Sequence, residues 1–553
     1  LLAVVAPGVG TAQDAPADAP APARRIPEAL RFAHGLFSQR KFDLAAEEYQ
    51  RFLDTKPEPA DEDDALFGLA CARLFQGRYK ESRNAFQEFL RLAPNHARAR
   101  TAWYRLGELS YMLGDLPAAR EALERVTADP APHANLETAW TYLGDVRLGL
   151  DDPGAARTAY ETSLKLFRKG RLADRARYGL GRSLAALGET DAAISVLEEL
   201  VDGGAADWLD KGLLQIGKIE MGAGRFEEAE EAFARLAKAA PQSALAAEAR
   251  LRRGEALARL NRPDDAADLL RPLASDPSQP LATEAALGLA GVDLRRERYE
   301  EALKILDAAL ERGGDSPLTP ALLYRSGETL RALKRDAEAR ARFLKVAEVD
   351  PADPWADDAW REAARLALEA GDHAEAARLA AEFPKKFPGS ALGPDVRLIQ
   401  ARAAMAQGEP KAAIEALESL VGTGAEEGGV AKSTAPPELL NRARYELALA
   451  YRADGRADRA DALLADLAKD SGDETAAAAA FLLGQDHLEA GRFAEALASL
   501  KRYLEADPDG RVADHALAHE SAAYLGLGQR DEAAGALGQL AERFPQSSAL
   551  PPA

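Results

Sequence analysis

Gly217-Lys-Ile-Glu-Met-Gly-Ala-Gly224-Arg-Phe-Glu-Glu-Ala229-Glu-Glu-Ala-Phe233 reads as one helix ending, a turn, and a second helix beginning. Gly217 and Ala229 are both small, with eleven residues between them. Gly224 stands at the turn, where a glycine past a helix end enters the left-handed region without steric penalty. Phe226 follows two residues later, and Phe233 carries the apolar stripe of the second helix one turn beyond Ala229. Pro241 then stops that helix.

The pattern returns along the whole chain. The alanine recurs at Ala45, Ser82, Ala119, Ala156, Ala193, Ala229, Ala266, Ala302, Ala339, Ala376, Ala413, Ala460, Ala496 and Ala533. Twelve of the thirteen intervals are 36 or 37 residues; the one from Ala413 to Ala460 is 47. Self-similarity of fixed period marks a solenoid of like supersecondary units. Each unit also has Gly, Ala or Ser twelve residues before the alanine, and seven of these are glycines. A glycine inside a helix costs about 1 kcal/mol against alanine. Close approach of the two helices is the expected reason, which makes Gly107, Ala119, Gly144, Ala156, Gly217, Ala229, Gly484 and Ala496 expected packing determinants. Nine of the fourteen units have Gly five residues before the alanine. Aromatics follow that turn at Phe42, Tyr79, Phe226, Tyr299 and Phe493, where they are expected to wedge between helices. The predicted fold is all-α: a right-handed α-solenoid of about fourteen helix-turn-helix units.

These residues resemble the tetratricopeptide repeat family: a small residue at position 8, Gly-x-aromatic-x-x-Ala through the turn, a large apolar residue at 24 and proline at 32. The likeness covers residues 26–553. The period is longer than the family's usual 34 or so. With linkers such as Lys386-Phe-Pro-Gly-Ser390 and Arg543-Phe-Pro-Gln-Ser547, it is similar to the repeats of bacterial envelope proteins, the outer-membrane assembly lipoproteins and Tol–Pal-associated periplasmic proteins. The lipobox cysteine of those lipoproteins is missing: the single cysteine, Cys71, falls in the first helix of the second unit, as a small apolar residue.

The termini and the long interval divide the chain further. Residues 1–12, Leu-Leu-Ala-Val-Val-Ala-Pro-Gly-Val-Gly-Thr-Ala, form an apolar run with Gly10 and Ala12 in a small-x-small pattern. They are expected to be part of a signal peptide, and 13–25 a Pro/Ala-rich disordered tether. Residues 26–421 hold units 1–11 and 438–553 hold units 12–14. Between them, 422–437 is Gly-rich without hydrophobic period and is expected to be a flexible insertion and the natural seam of the array. No later stretch approaches the roughly 18 apolar residues of a membrane span.

A catalytic, cofactor or metal site finds no support in the sequence. Lys432-Ser433-Thr434 has no glycine directly before the lysine and no strand leading in, so it is not a phosphate loop. Gly179-Leu-Gly181 is part of the repeat. His515 and His519 share a helical face, but two ligands make no metal site; they read as solvent-facing. A net charge of −20 argues against nucleic acid as partner.

Binding is the expected activity, with proteins or peptides as partners. The fifth position of each first helix carries an aromatic in many units, with charges interspersed one turn later. Phe67, Tyr104, Tyr178, Arg182, Tyr324, Arg365, Tyr445 and Phe481 are the candidate partner contacts, laid along a concave face. Packing between first helices is the competing explanation for the aromatics. The Lys and Asn clamp of chaperone-binding family members is not visible. The resulting expectation is a non-enzymatic interaction scaffold of the bacterial envelope, periplasmic or outer-membrane associated. An intracellular adaptor or an accessory domain of an enzyme complex are the alternatives. Leu537 and Leu540 are expected to border an uncovered apolar surface on the last unit and to offer a second point of association.

Overall fold

The computed structural model describes residues 26–550 except 205, 279–280, 314–315, 423–434 and 470–473. Among the described residues there are twenty-eight helices in fourteen consecutive pairs, and no strand. Repeat 4 pairs Leu136–Gly149 with Pro153–Leu166, repeat 5 pairs Ala173–Ala186 with Thr190–Asp202, and repeat 6 pairs Ala206–Gly222 with Phe226–Ala239. Second helices end one to three residues before the predicted prolines, at Asp54, Leu92, Ala239, Val349, Lys386, Ala506 and Arg543.

The chain divides into two compact blocks, residues 1–256 and 257–553. In the first, the helix Leu136–Gly149 packs on Ala173–Ala186, which packs on Ala206–Gly222, so first helices touch first helices. The second repeats this where Ala356–Glu369 packs on Gly393–Ala406. The division falls inside repeat 7 rather than at 422–437, where the sequence suggested a seam. Residues 423–434 of that insertion, Lys432-Ser433-Thr434 among them, lie outside the described residues, as do 1–25. Pro437 already opens the helix Pro437–Ala453.

The spacing of the small residues has a direct steric cause. All fourteen members of the alanine series are buried. A Cβ placed on Gly107 would lie 2.7 Å from Leu123 Cγ, on Gly144 2.5 Å from Tyr160 Cε1, and on Gly484 2.6 Å from Leu500 Cγ. On Gly217 it would overlap the Phe233 ring. In each case the obstacle stands sixteen residues on, one turn past the alanine, so the glycine is where the second helix seats its largest side chain. Serine replaces one member of the small pair twice, and both times its hydroxyl is satisfied within the pair. Ser82 donates to the Ala70 carbonyl at 2.7 Å and Ser521 to the Ala533 carbonyl at 3.0 Å.

Every turn adopts the same left-handed residue. The nine predicted glycines have φ between 71° and 79°, and Arg40, Asp151, Asn261, Glu297 and Lys334 hold the same place in the other five repeats with φ between 56° and 60°. Two of the turn aromatics wedge against the next repeat: Phe42 stacks on Phe75 at 4.7 Å, and Phe493 fills the space a Cβ on Gly526 would occupy.

The Pro-x-Ser linkers latch one repeat to the next. Ser243 donates to Asp210 at 2.5 Å, Ser390 to Asp357 at 2.6 Å and Ser547 to Asp514 at 2.6 Å, each pair 33 residues apart. Each serine oxygen also accepts the backbone N–H two residues on, at Leu245, Leu392 and Ala549. The carboxylate therefore fixes the linker that follows its own repeat, which at Ser243 and Ser390 leads into the next first helix.

The last helix, Arg530–Arg543, corrects one expectation. Leu540 is fully buried and Leu537 half-buried, because they share the face of Ala533 and Ala536 that packs on Ala513–Gly526. The outward face carries Asp531, Glu532, Ala534, Gly535, Gly538 and Gln539 instead. That face is polar and small-sided.

Candidate partner-binding site

The proposed contact residues fall into two groups. Tyr104, only 4% exposed, donates its hydroxyl to Glu108 at 2.9 Å, and Arg105 lies over its ring. Tyr324, 9% exposed, donates to Asp358 and packs against Phe343 and Trp355. Phe67 packs edge-on against Phe86 and Phe89 under the Arg98 guanidinium, and Phe481 lies against Tyr503 and His519. Arg365 is committed to Glu362 at 2.5 Å and to Glu369. These five side chains are absorbed by the array itself. Their aromatics join successive helices, and the guanidinium neutralises a buried glutamate. Burial overturns the ladder reading at Tyr104 and Tyr324.

Tyr178 and Arg182 are different. Both line a cavity of about 270 Å³ in the first block, with Tyr111, Asp145, Arg175 and Trp208. Repeats 3 to 6 each supply part of this wall: Tyr111 from the helix Ala99–Met112, Asp145 from Leu136–Gly149, Arg175, Tyr178 and Arg182 from Ala173–Ala186, and Trp208 from Ala206–Gly222. Helical spacing puts Arg175, Tyr178 and Arg182 on one face, at steps of three and four.

The floor is a closed polar network. Tyr160 donates to Asp145 Oδ1 at 2.7 Å, while Arg175 binds Asp145 Oδ2 at 2.7 Å and approaches the Tyr111 hydroxyl at 3.4 Å. Arg175 also lies over the Tyr142 ring at 5.0 Å. Burial pushes the Asp145 carboxyl up, and the Arg175 guanidinium and Tyr160 hydroxyl act against it. Burial likewise raises the Tyr160 phenol, so it stays a donor.

The rim is open. Arg182 is exposed, with the Tyr178 ring below it at 5.9 Å. Tyr178 and Trp208 pack at 5.3 Å between centroids, and the Lys211 ammonium lies 4.5 Å over the indole. Sequence reasoning named Tyr178 and Arg182. It missed Tyr111, Arg175 and Trp208. Trp208 stands nine residues before Gly217, on a first helix that runs 17 residues where its neighbours in repeats 4 and 5 run 14. That early start was the available signal.

In the second block, Tyr445 lines a cleft of about 670 Å³ with Arg402, Arg442 and Glu446. Arg402 is tied to Glu446 at 2.7 Å, and Asp395, Glu438 and Glu474 leave the lining with four carboxylates to two guanidiniums. No group of three or more potential metal ligands occurs among the described residues. His519 is half-buried beside Gln485 rather than solvent-facing, whereas His515 is exposed beside Asp514. Burial pushes the Cys71 thiol up to about 11, as an inert apolar residue requires. Among the described residues no helix is long and apolar enough to cross a membrane.

Tetratricopeptide repeat models match at residues 67–134, 143–208, 214–280, 361–428 and 443–511, and others at 282–352 and 521–547. No curated protein sequence matches the chain. Among solved structures it is similar to one titled as an APC/C hetero-tetramer of Cut9 and Hcn1, at 17% identity over 94% of both chains with a TM-score of 0.30. A tetratricopeptide repeat protein from Parabacteroides merdae matches at 16% identity over 48% of this chain and 99% of its own, with a TM-score of 0.38. YrrB, titled as a repeat protein with an unusual peptide-binding site, matches at 20% identity over 37% of this chain and 98% of its own, with a TM-score of 0.30.

Proposed function

The chain belongs to the tetratricopeptide repeat family, and on that premise we infer that it is a non-enzymatic scaffold that holds a partner segment on its first-helix face. The observation that carries this reading is the cavity at Tyr178 and Arg182. Its floor is a satisfied ionic network, and its rim offers an aromatic pair and an exposed guanidinium. A rigid, pre-formed polar floor with an open rim suits recognition of an extended segment, because little ordering is required of the receptor on binding.

A display selection of short random segments on the immobilised full chain tests the reading. Enriched sequences that lose affinity on Tyr178→Ala support it. A selection that enriches nothing over background contradicts it.

The bacterial envelope is the proposed location, supported by the apolar run at 1–12 and the Pro/Ala-rich stretch at 13–25. Fractionation of cells expressing the native protein tests this. Recovery with periplasmic or outer-membrane material is expected, and recovery with cytosol would favour the intracellular adaptor.

A further inference from the structure

We propose that the cavity at Tyr178, Arg182 and Trp208 is a seat for an acidic side chain, glutamate or aspartate, within an extended partner segment. The proposal rests on the scaffold reading and names the chemistry that the site would take.

Three observations carry it. The first is donor excess. Neither the Arg182 guanidinium, the Tyr178 hydroxyl nor the Trp208 indole N–H has a hydrogen-bond or ion-pair partner among the described residues. Each oxygen of the one carboxylate in the cavity already accepts a bond, Oδ1 from Tyr160 and Oδ2 from Arg175. A ligand that fills the cavity must therefore bring acceptors, and a carboxylate brings the most in the smallest volume.

The second is charge. The cavity has two guanidiniums to one carboxylate, and the Lys211 ammonium lies over the indole, on a chain whose net charge is −20. Of the carboxylates near Tyr178 outside the lining, Glu248 is paired with Lys218 and Asp210 accepts from Ser243. A locally positive cavity on an acidic chain is selective: it attracts an acidic group, while the chain's net charge disfavours acidic partners that have no way to bury one. Arg175 does not compete for the ligand, because Asp145 and the Tyr142 face hold it in place. Arg182 remains free, and a guanidinium binds a carboxylate in a two-pronged, charge-assisted pair.

The third is size and lining. About 270 Å³ admits one side chain and no folded element. The Tyr178–Trp208 pair gives the methylenes of a glutamate an apolar wall. No asparagine or glutamine lines the cavity to hold the backbone of a terminal residue. That favours a side-chain carboxylate over a chain end.

The test uses the full chain labelled with 15N-indole tryptophan, which gives five indole resonances; Trp208→Phe identifies that of Trp208. Three probes are titrated: acetyl-Ala-Ala-Glu-Ala-Ala-amide, the same peptide with Gln for Glu, and acetyl-Ala-Ala-Ala with a free C-terminal carboxylate. The Glu peptide is expected to move the Trp208 resonance saturably, with both other probes about tenfold weaker or more. Arg182→Gln should remove that preference, and Arg182→Lys should keep part of it. A resonance that does not move, or moves equally with the Gln peptide or in Arg182→Gln, overturns the acidic seat. A free carboxylate that matches the Glu peptide overturns the choice of a side chain. Either failure leaves the scaffold reading intact, since that reading is tested separately, by the display selection and by which helices a selected segment protects.

Discussion

Tyr160 donates its phenolic hydrogen to Asp145 at 2.7 Å, and this bond ties the packing of repeat 4 to the floor of the candidate site. The ring that reaches Asp145 is the same ring for which Gly144 gives up its Cβ. Gly179, from the next repeat, makes room on the other side. Repeat packing and site construction thus share one side chain. Tyr160→Phe should keep the packing and remove the bond, leaving Asp145 with Arg175 alone. The expected loss is about 1.5–3 kcal/mol in chemical denaturation, the range for hydrogen bonds to charged groups. An unchanged midpoint would mean that the hydroxyl contributes nothing to the fold.

The glycine rule is tested at Gly217. Gly217→Leu, which meets the Phe233 ring, and separately Ala229→Leu, at a fully buried site, should overpack the helix pair and each cost about 1–3 kcal/mol. Thermal unfolding that neither change affects would show the register to be wrong.

The left-handed turn residues predict the opposite sign. Glu297 has φ 56° where nine other repeats have glycine. A non-glycine residue there carries a strain of about 1–2 kcal/mol, part of which glycine gives back through the freedom it adds to the unfolded chain. Glu297→Gly should therefore stabilise the chain by about 0.5–1 kcal/mol. A loss of stability would show that the Glu297 side chain does more than tolerate its backbone.

The Asp514–Ser547 latch has a titration signature. The Ser547 hydroxyl, with His515 beside it, holds the Asp514 carboxyl down at about 2, against an ordinary aspartate near 4. A depressed carboxylate adds stability that is fully present above about pH 4 and is lost as pH falls through about 2. Ser547→Ala should move the Asp514 titration, followed by carboxyl-carbon NMR, back toward the ordinary value. An unmoved titration would remove the latch from the account.

The repeat was legible because its cause is steric and recurs at fixed spacing. Ala229 and Gly217 could be paired from sequence, since no large residue fits either place. Gly224 announced its own conformation. Glu297 and Lys334 did not, because nothing in glutamate or lysine signals a left-handed backbone; only the count of five from the alanine does. The site was harder to read for a different reason. Tyr178 and Arg182 lie one helical turn apart on one helix and could be read together. Arg175 shares their helix and face, and spacing alone could have added it; Tyr111 and Trp208 stand on two other helices at other repeat positions, and only packing brings them to the same wall. Tyr104 occupies the same repeat position as Tyr178 and is buried. A position in the repeat therefore fixes direction, while the neighbours decide exposure.

Hydrogen exchange on the full chain, with and without a segment enriched by display, tests the central claim most directly. The account predicts added protection in the first helices 136–149, 173–186 and 206–222, with the second helices between them unchanged. Protection confined to second helices, or spread evenly over the array, would contradict a partner held on the first-helix face.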